Sequence, residues 1–379
     1  MPSLRAFMTF GTRPEAIKMA PIIEECRRRS NEIETVVCLT GQHRELLAQV
    51  TDYFGIRADV DLALMRPDQS PAEVTARCLA ELDGQLARIR PHCVVAQGDT
   101  STVMAAALAA FLRRIPLVHV EAGLRTGNLL SPWPEEMNRR VASLAATLHC
   151  APTRRAAANL EAEGILPSSI HVTGNTVIDA LLSTRQRERA NAAHWRRQFA
   201  MLGDRRLVLV TGHRRENLGS GGLKRVCQAI ATLATCFPDV VFLYPVHLNP
   251  RVQSAVHPLL AGLANVRLVE PVGYPAFVWL MDRSHLILTD SGGVQEEAPS
   301  LGKPVLVTRE TTERPEAVEA GAAELVGTDV ERIVSRTTLL LTDHAAYAQR
   351  RIDVNPYGDG QAARRIVELM LSQGWGNPR

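Results

Sequence analysis

The stretch LILTDSGGVQEEAPSLGKPVLV, residues 286–307, contains the pattern that decides the fold. An apolar run ends at Asp290, and a Ser-Gly-Gly turn follows at 291–293. A segment with two adjacent carboxylates then leads to a second apolar run that begins at Pro304. This order is typical of a strand, a helix and a second strand, and it predicts a parallel sheet with helical connections.

The same alternation of short apolar runs and longer helical patterns extends over the whole chain. Near-continuous apolar strands indicate parallel sheets that helices cover on both faces. The predicted strands form two sets of five, 4–10, 34–40, 93–97, 116–120 and 170–173, then 207–211, 240–246, 266–271, 285–289 and 304–308. Amphipathic helical stretches between them are 14–29, 71–90, 134–148, 220–236 and 312–320.

The number of strands indicates more than one domain. Ten strands are too many for one comfortable sheet of this kind, and 379 residues are long for a single core. The segment 181–206 is charged, poor in β-branched residues, and separates the two strand sets. We therefore predict an α/β architecture of two doubly wound domains that face a cleft, with the first domain at 1–180 and the second at 181–362.

The composition is that of a soluble globular protein, with 46% hydrophobic and 22% charged residues. A net charge of +3 is too small to indicate a nucleic-acid or membrane surface. Arg13 and Glu15 interrupt any signal-peptide core, and the most apolar helical stretch, 103–112, is far shorter than the roughly 20 residues that a membrane span needs. We expect no nucleic-acid partner and no membrane partner.

The cysteines give a signal about the cellular compartment. There are seven of them, scattered along the chain, and none forms a C-x-x-C pair. This pattern indicates reduced, buried thiols, and it favours neither a disulfide framework nor a zinc site. We therefore expect a cytoplasmic protein.

Polar segments follow the predicted strands at the edge where parallel sheets bind ligands. Gly, Asp, Glu, His and Arg recur in eight of them: 11–18, 41–45, 98–102, 121–127, 212–217, 247–250, 290–293 and 311–316. Ordinary turn chemistry explains any one of these segments well. It explains poorly why eight segments supply ionisable groups to one rim, so the pattern predicts a functional site there.

The turn at Gly292 and Gly293 suits a phosphate, because the backbone can approach a ligand closely and the helix that follows offers unpaired N–H groups. Adjacent helical residues point about 100° apart, so only one of Glu296 and Glu297 can face the ligand, where it would accept from ribose hydroxyls. A glycine turn followed by solvated acids is an equally good interpretation of this segment alone.

The segment GTRPEAIK, residues 11–18, repeats this geometry after the first strand. Gly11 allows a tight turn and Pro14 is at home in a first helical turn. Arg13 and Lys18 bracket the helix start, and two cations there suit a diphosphate. The segment lacks the P-loop pattern, and the chain has no G-x-G-x-x-G, which disfavours a hydride-transfer dinucleotide site.

Four residues near strand ends are candidates for acid–base chemistry: Asp99, Glu121, Glu135 and His213. Partial desolvation at a strand end could raise the pKa of Glu121, and an imidazole pKa near 7 would make His213 useful beside phosphate. Structural alternatives are helix capping for Asp99 and pairing with a helix dipole for Glu135. No spacing predicts a metal site, and a G-x-S-x-G nucleophile elbow is absent.

Together these segments closely resemble the non-hydrolysing UDP-N-acetylglucosamine 2-epimerase family. Long matching strings occur in the family's order between residues 10 and 362, among them FGTRPEAIKMAP, GDTSTV, HVEAGLRTG, SPWPEEMNRR, VTGHRREN, LTDSGGVQEEAPSLGKPVL, TTERPEAV and NPYGDGQA. The resemblance implies a GT-B-like fold of two Rossmann-like domains with the nucleotide mainly on the second. It also implies a homodimer and a last helix, 363–379, that returns to the first domain.

The resemblance assigns a role to each candidate residue. It implies a catalytic group of Asp99, Glu121, Glu135 and His213. It implies that UDP is bound by Arg13, Lys18, Val272, Phe277, Ser291, Gly292, Gly293, Glu297 and Arg314. In that set Phe277 lies against uracil, and Glu297 rather than Glu296 binds the ribose. A second, activating UDP-GlcNAc is expected near Gln42, His43, Glu136 and His247.

The implied reaction interconverts UDP-GlcNAc and UDP-ManNAc. The C2 proton is not next to a carbonyl, so the resemblance implies elimination of UDP to 2-acetamidoglucal and re-addition with the proton on the opposite face. We expect no cofactor, neither NAD nor a metal. Alternatives are a hydrolysing epimerase that releases ManNAc and UDP, an epimerase of a modified UDP-sugar, a GT-B glycosyltransferase, and a silent nucleotide-sugar binder. Gln97 departs from the histidine that is common in the family and lies close to Asp99.

Overall fold

Both sheets of the structure consist of parallel strands, and each sheet lies in its own unit of the chain. The computed structural model describes residues 4–41, 44–66, 69–212, 214, 217–218 and 221–375, and for 44–46 the backbone alone. The first unit is Met1–Ala180 with Tyr357–Arg379, and the second is Leu181–Pro356.

The first unit contains a seven-stranded sheet in the order β3-β2-β1-β4-β5-β6-β7. Its strands are β1 (Leu4–Phe10), β2 (Ile33–Leu39), β3 (Val60–Asp61), β4 (Cys93–Gln97), β5 (Leu117–Val120), β6 (Leu148–Ala151) and β7 (Ile170–Val172). Its helices are α1 (Arg13–Arg28), α2 (Arg44–Tyr53), α3 (Pro71–Ile89), α4 (Ser101–Leu112), α5 (Glu135–Ala145), α6 (Arg154–Ala162) and the start of α7 (Thr176–Ala190).

The second unit contains a six-stranded sheet in the order β10-β9-β8-β11-β12-β13. Its strands are β8 (Arg206–Thr211), β9 (Val240–Pro245), β10 (Val266–Val269), β11 (Leu286–Thr289), β12 (Val305–Val307) and β13 (Ala323–Leu325). Its helices after α7 are α8 (Ala192–Gln198), α9 (Gly222–Cys236), α10 (Pro250–Leu260), α11 (Tyr274–Arg283), α12 (Gly292–Glu297), α13 (Pro315–Glu319), α14 (Val330–Thr342) and α15 (His344–Gln349). The last helix, α16 (Ala362–Ser372), belongs to the first unit.

Both sheets are doubly wound, which confirms the predicted fold class. In the first sheet the chain winds outward from β1 on one side and from β4 on the other, and in the second from β8 and β11. Every strand pair is parallel, for example β1 with β4 and β8 with β11. The strand order therefore changes direction between β1 and β4 and between β8 and β11, which is where open α/β sheets bind ligands.

All ten predicted strands are present, each within two residues of its predicted bounds. Three short strands, β3, β6 and β13, were not predicted. The predicted helical stretch 134–148 wrongly extended to Leu148, the first residue of β6, because the apolar pattern continues without a break from helix to strand. The helix ends earlier, since Ala146 adopts an extended conformation. β3 and β13 have two and three residues, too few for a periodic signal.

Small side chains let the central helix α4 pack closely. The core of the first unit includes Phe7 and Val94 of the sheet, Leu82 and Leu86 of α3, and a run of buried alanines in α4. Alanine loses little side-chain entropy in a helix and leaves room for close neighbours. This explains why the most apolar helical stretch is a core helix, and among the described residues no helix is long and apolar enough to cross a membrane.

Six of the seven cysteines are buried free thiols, as predicted. Burial raises the pKa of several of them, and it brings that of Cys150 to about 12, which keeps this thiol protonated. The prediction was wrong for Cys236, which is exposed at the end of α9. The apolar side of α9 turns inward through Leu233 and Ala234, so the residue that closes the helix faces outward.

Asp179 caps the helix that ends the first unit. Its two carboxylate oxygens accept from the backbone N–H groups of Ala362 and Ala363, at 3.2 and 2.9 Å. Negative charge at a helix N-terminus is stabilised by the helix dipole. Burial nevertheless raises the pKa of Asp179 to about 6 from its ordinary value of 3.8. Burial therefore destabilises the ionised form by more than the two hydrogen bonds stabilise it.

We predict that this carboxylate makes stability depend on pH. The folded-state pKa lies above the unfolded value, so the stability that Asp179 contributes is full below about pH 4 and is lost as the pH rises through about 6. In Asp179→Asn this loss of up to about 3 kcal/mol is absent. The melting temperature of Asp179→Asn, relative to that of the wild type, should therefore increase between pH 4.5 and 7.5. Parallel curves in scanning fluorimetry would contradict the assignment.

Candidate functional site

Glu15, which the sequence analysis did not single out, joins two strand-end loops of the first unit. Its carboxylate accepts from the backbone N–H groups of Gly11 and Thr12, at 3.0 and 2.7 Å, and from the hydroxyl of Thr100 at 2.6 Å. Burial raises the pKa of Glu15, and these hydrogen bonds act against that rise. The loops after β1 and β4 are therefore tied together. The signal was present in the sequence, because Thr12 and Glu15 have the spacing of a capping box.

Asp99 lies two residues beyond β4 and is held by α5. Its carboxylate accepts from the guanidinium of Arg139, and its carbonyl accepts from the side-chain amide of Asn138 at 2.9 Å. Thr100, not Asp99, caps α4, since its hydroxyl accepts from the backbone N–H of Val103. The capping alternative is thus wrong, and the carboxylate of Asp99 pairs with a buried cation. The contact of Arg139 with Asp99 was not predicted from the sequence.

Glu121 follows β5 in the left-handed region, with φ of +63°, and is 9% exposed. One oxygen accepts from Lys18 at 2.5 Å and from the side-chain amide of Asn175 at 2.9 Å. The other accepts from the side-chain amide of Gln97. Lys18, which was assigned to UDP, thus contacts a residue of the predicted catalytic group, and its direct contact with UDP stays a prediction. Arg13 is half-buried at the first position of α1.

The acids at the start of α5 have different surroundings. Glu135 is half-buried, whereas Glu136 is completely buried and accepts from the N–H groups of Thr126 and Gly127, at 3.1 and 3.3 Å. Its carboxylate also pairs with Arg139 at 3.2 Å. Glu136 therefore holds the loop after β5, a role that spacing along the chain did not reveal.

Three predicted residues lie outside the described part of the chain: Gln42, His43 and His213. His247, the remaining residue predicted for a second nucleotide site, is exposed after β9. Its ring Nδ1 accepts from the backbone N–H of Asn249 at 3.0 Å. The structure thus brings Glu121 together with Lys18, and Asp99 and Glu136 together through Arg139.

In the second unit, Asp290 braces the loops beyond three adjacent strands. It is fully buried, and one carboxylate oxygen accepts from the backbone N–H of Arg214 at 2.9 Å and from the amide of Asn217 at 3.4 Å. Asn217 also donates to the carbonyl of Thr308 at 3.2 Å. Asp290 therefore fixes the loop after β8 against the turn that begins α12.

Gly292 makes room for an arginine side chain. A Cβ at this position would lie 3.0 Å from the central carbon of the Arg314 guanidinium, tighter than ordinary packing. Arg314 donates to Glu296 at 2.8 Å and pairs with Glu313 at 2.7 Å. The two adjacent acids therefore do point apart, because Glu297 accepts instead from the hydroxyl of Tyr274 at 3.1 Å.

Glu313 is the acidic centre of an arginine cluster that the sequence analysis missed. Arg314 contacts it at 2.7 Å, Arg309 at 2.8 Å and Arg214 at 3.4 Å. Burial alone would raise the pKa of Glu313, but the guanidinium groups of Arg314 and Arg309 hold it at about 2. Glu313 stays ionised at neutral pH and concentrates positive charge beyond the end of β12.

The residues predicted to read the base lie on either side of the start of α11. Val272 precedes this helix and lines a groove of about 460 Å³ that also contains Trp195 and Phe199. Phe277 is half-buried on α11 and does not line that groove. Among the described residues, no cluster of three or more His, Cys, Asp or Glu side chains could hold a metal ion.

The two units offer different chemistry. In the first unit, carboxylates lie beside Lys18 and Arg139, which suits proton transfer by groups of fixed orientation. In the second unit, a glycine turn and three arginines suit a phosphate group. Both sets lie beyond the carboxyl ends of strands that are at, or one strand away from, the points where strand order reverses, the region in which doubly wound sheets bind ligands.

Comparisons with known proteins give one consistent family. The family model described as UDP-N-acetylglucosamine 2-epimerase matches residues 24–371. A relative from Ralstonia solanacearum, called a probable UDP-N-acetylglucosamine 2-epimerase, is 52% identical over 370 residues, which are 97% of this chain and 98% of that protein.

Solved structures that are similar to this chain belong to the same family. The UDP-GlcNAc 2-epimerase from Neisseria meningitidis, bound to UDP-GlcNAc, has a TM-score of 0.92 and 47% identity over 98% of this chain and 100% of its own. The enzyme from Methanocaldococcus jannaschii, in complex with UDP-GlcNAc and UDP, has a TM-score of 0.82 and 33% identity over 97% of this chain and 99% of its own.

We predict that Gly292→Ala destabilises the fold by about 1–3 kcal/mol, because two ion pairs keep Arg314 from moving away from the added methyl group. Gly293→Ala is the matched control, since its nearest neighbour would be at 3.9 Å. In a helix this control should be neutral or gain up to about 1 kcal/mol. Urea unfolding measures both, and equal stability of the two variants would contradict the packing argument.

Proposed function

Because this chain belongs to the UDP-N-acetylglucosamine 2-epimerase family, a family of isomerases that act on carbohydrates, we propose that it interconverts UDP-GlcNAc and UDP-ManNAc without releasing free sugar. The observation that carries this proposal is the pairing of two strand-end carboxylates with cations, Asp99 with the buried Arg139 and Glu121 with the half-buried Lys18. A neighbouring cation favours the ionised form of a carboxylate, which is the form that accepts a proton.

The proposed reaction begins with elimination. A carboxylate removes the proton at C2, the C1–O bond breaks, and UDP leaves with the bonding electrons to give 2-acetamidoglucal. In the reverse addition a proton reaches C2 from the opposite face, and a phosphate oxygen of UDP attacks C1. Inversion needs groups on both faces of the ring. We assign them to the catalytic group of Asp99, Glu121, Glu135 and His213.

We assign the grip on UDP mainly to the second unit. The turn of Ser291, Gly292 and Gly293 would hold the diphosphate, assisted by Arg314, and Glu297 would bind the ribose hydroxyls. The hydrogen bond from Tyr274 to Glu297 supports this assignment, because it fixes the direction of that carboxylate. Phe277 would lie against uracil, with the backbone near Val272 reading the base edge.

In the first unit we assign phosphate contact to Arg13. The contact of Lys18 with Glu121 favours a role in shaping the catalytic group. Arginine suits the phosphate role because its planar guanidinium can donate to two phosphate oxygens at once.

We also propose a second, activating UDP-GlcNAc. The structure from Methanocaldococcus jannaschii is in complex with both UDP-GlcNAc and UDP, which supports more than one kind of bound nucleotide in the family. Contacts are assigned to Gln42, His43 and His247. Glu136 would act by holding the loop at 126–127, because its carboxylate is completely buried. We place the enzyme in the cytoplasm, since its buried cysteines are free thiols.

A deuterium experiment tests the reaction. The protein is incubated with UDP-GlcNAc in deuterated water, and the reaction is monitored by NMR. We expect deuterium to appear at C2 and UDP-ManNAc to accumulate. Free ManNAc with UDP would indicate the hydrolysing alternative, and consumption of an added acceptor would indicate a glycosyltransferase. Absence of exchange at C2 would contradict both epimerase interpretations.

Asp99→Asn should abolish exchange and leave UDP binding measurable by calorimetry, and exchange at the wild-type rate would refute the role of Asp99.

We propose that the protein is a homodimer, and the observation that supports this is an apolar surface on the first unit. Helices α4 and α5 pack together and follow neighbouring parallel strands, so they end at the same side of the sheet. Phe111, Leu112 and Leu144 lie at these ends and are 61%, 70% and 78% exposed. Large apolar residues grouped on a surface mark interaction sites.

The matching test is a charge placed on this surface. Leu144→Glu should shift the protein from twice the chain mass to the single-chain mass in sedimentation velocity, because burying a carboxylate at an interface is costly. Leu166→Glu is the control, since Leu166 is 71% exposed and follows α6, outside the two helices that form this surface. A Leu144→Glu protein with unchanged mass would rule this surface out.

A further inference from the structure

Glu121 has an unusual backbone and little contact with solvent. Its φ of +63° is uncommon for a residue with a side chain, and its exposure is 9%. Such a conformation costs free energy and persists only where the surroundings hold it. The hydrogen bonds of its carboxylate indicate what does so.

Two neutral amides donate to this carboxylate from opposite sides. Asn175 donates to one oxygen at 2.9 Å, and Gln97 donates to the other. Both amides are buried, at 2% and 3% exposure. Gln97 is the last residue of β4 and is in register with Val120, the residue before Glu121. The two oxygens are therefore held separately, and rotation of the carboxylate would break bonds at both.

The orientation of Asn175 is determined by its other contacts. The side-chain oxygen of Asn175 accepts from the backbone N–H of Val177 at 3.1 Å. The backbone N–H of Asn175 donates to the carbonyl of Tyr357 at 2.7 Å. With its oxygen occupied in this way, its amide nitrogen must point to Glu121. An ionised carboxylate accepts hydrogen bonds and donates none, so Gln97 too presents its nitrogen to Glu121. Both amides favour the ionised carboxylate.

We propose that Gln97 and Asn175 are positioning residues that hold Glu121 ionised and in one orientation for the transfer of the C2 proton. This inference rests on the proposed function. Lys18 supplies charge to the same carboxylate, at 2.5 Å. The two amides fix the orientation of the carboxylate, and they do not ionise themselves. The protonation of Glu121 is therefore not coupled to the protonation of either amide. Neither amide takes up or releases the proton itself.

The test removes one amide donor at a time. Gln97→Met removes the donor and retains the length of the side chain, and Asn175→Ala removes the second donor. For each we expect kcat for C2 exchange to fall about 10- to 100-fold, which is a part of the roughly 10²- to 10⁴-fold that a positioned acid–base group contributes. KM and the Kd of UDP should change less than about threefold. The acidic limb of the pH–rate profile should move to higher pH, because the ionised carboxylate has lost donors.

Asn265→Ala is the matched control. Asn265 is another buried asparagine whose amide donates to carbonyls, those of Ala234, Phe237 and Val240. Its loss should lower the melting temperature without changing kcat or the acidic limb. If Gln97→Met and Asn175→Ala behave like this control, the two amides are structural and the proposal is overturned.

A second measurement does not depend on activity. Protein labelled with ¹³C at the glutamate carboxyl carbons is titrated by NMR, and Glu121→Gln identifies the resonance of residue 121. The titration midpoint should rise in both amide variants, and an unchanged midpoint would overturn the proposal. A wild-type enzyme without exchange at C2 would refute the proposed function instead, and the titration would still decide whether the amides hold Glu121.

Discussion

A carboxylate taken out of water must recover hydrogen bonds or a cation, because an uncompensated buried charge is very costly. This constraint organises the strand ends of both units. Glu15 recovers three donors from two loops, and Asp290 recovers donors from the loop after β8. The loop after β1 is consequently fixed to the loop after β4, and the loop after β8 to the turn after β11. Holding charged groups in fixed positions in this way is the preorganisation that catalysis by fixed groups needs.

The glycine turn of the second unit shows how one local feature serves several neighbours. The missing Cβ of Gly292 leaves space for the guanidinium of Arg314, and Glu296 and Glu313 hold that guanidinium in place. The acid at 296 is thus explained by an internal cation, and the acid at 297, which accepts from Tyr274, is the one assigned to the proposed ribose contact. The low pKa of Glu313, about 2, means that this arrangement keeps its charge throughout the neutral range.

Much of the architecture follows from local sequence. Strand and helix periodicities depend on neighbouring residues, so all ten predicted strands and the doubly wound fold class agree with the structure. The errors have local causes as well: β6 continues the apolar pattern of α5, and β3 and β13 are too short to show a period. The rule that ligands bind beyond the carboxyl ends of parallel strands located Asp99, Glu121 and the glycine turn, because it needs only the ends of strands.

The sequence by itself therefore determined the elements, their parallel arrangement, the family resemblance and the positions at which polar chemistry collects. Only the tertiary structure decided which groups meet. Lys18 reaches Glu121 across 103 positions of sequence and Arg139 reaches Asp99 across 40. Asn175, from a third segment of the chain, donates to the same Glu121 carboxylate that Lys18 contacts. Such partners carry no mark in the sequence, because any buried carboxylate can be satisfied by many donors, and packing alone selects the ones that lie within hydrogen-bonding distance.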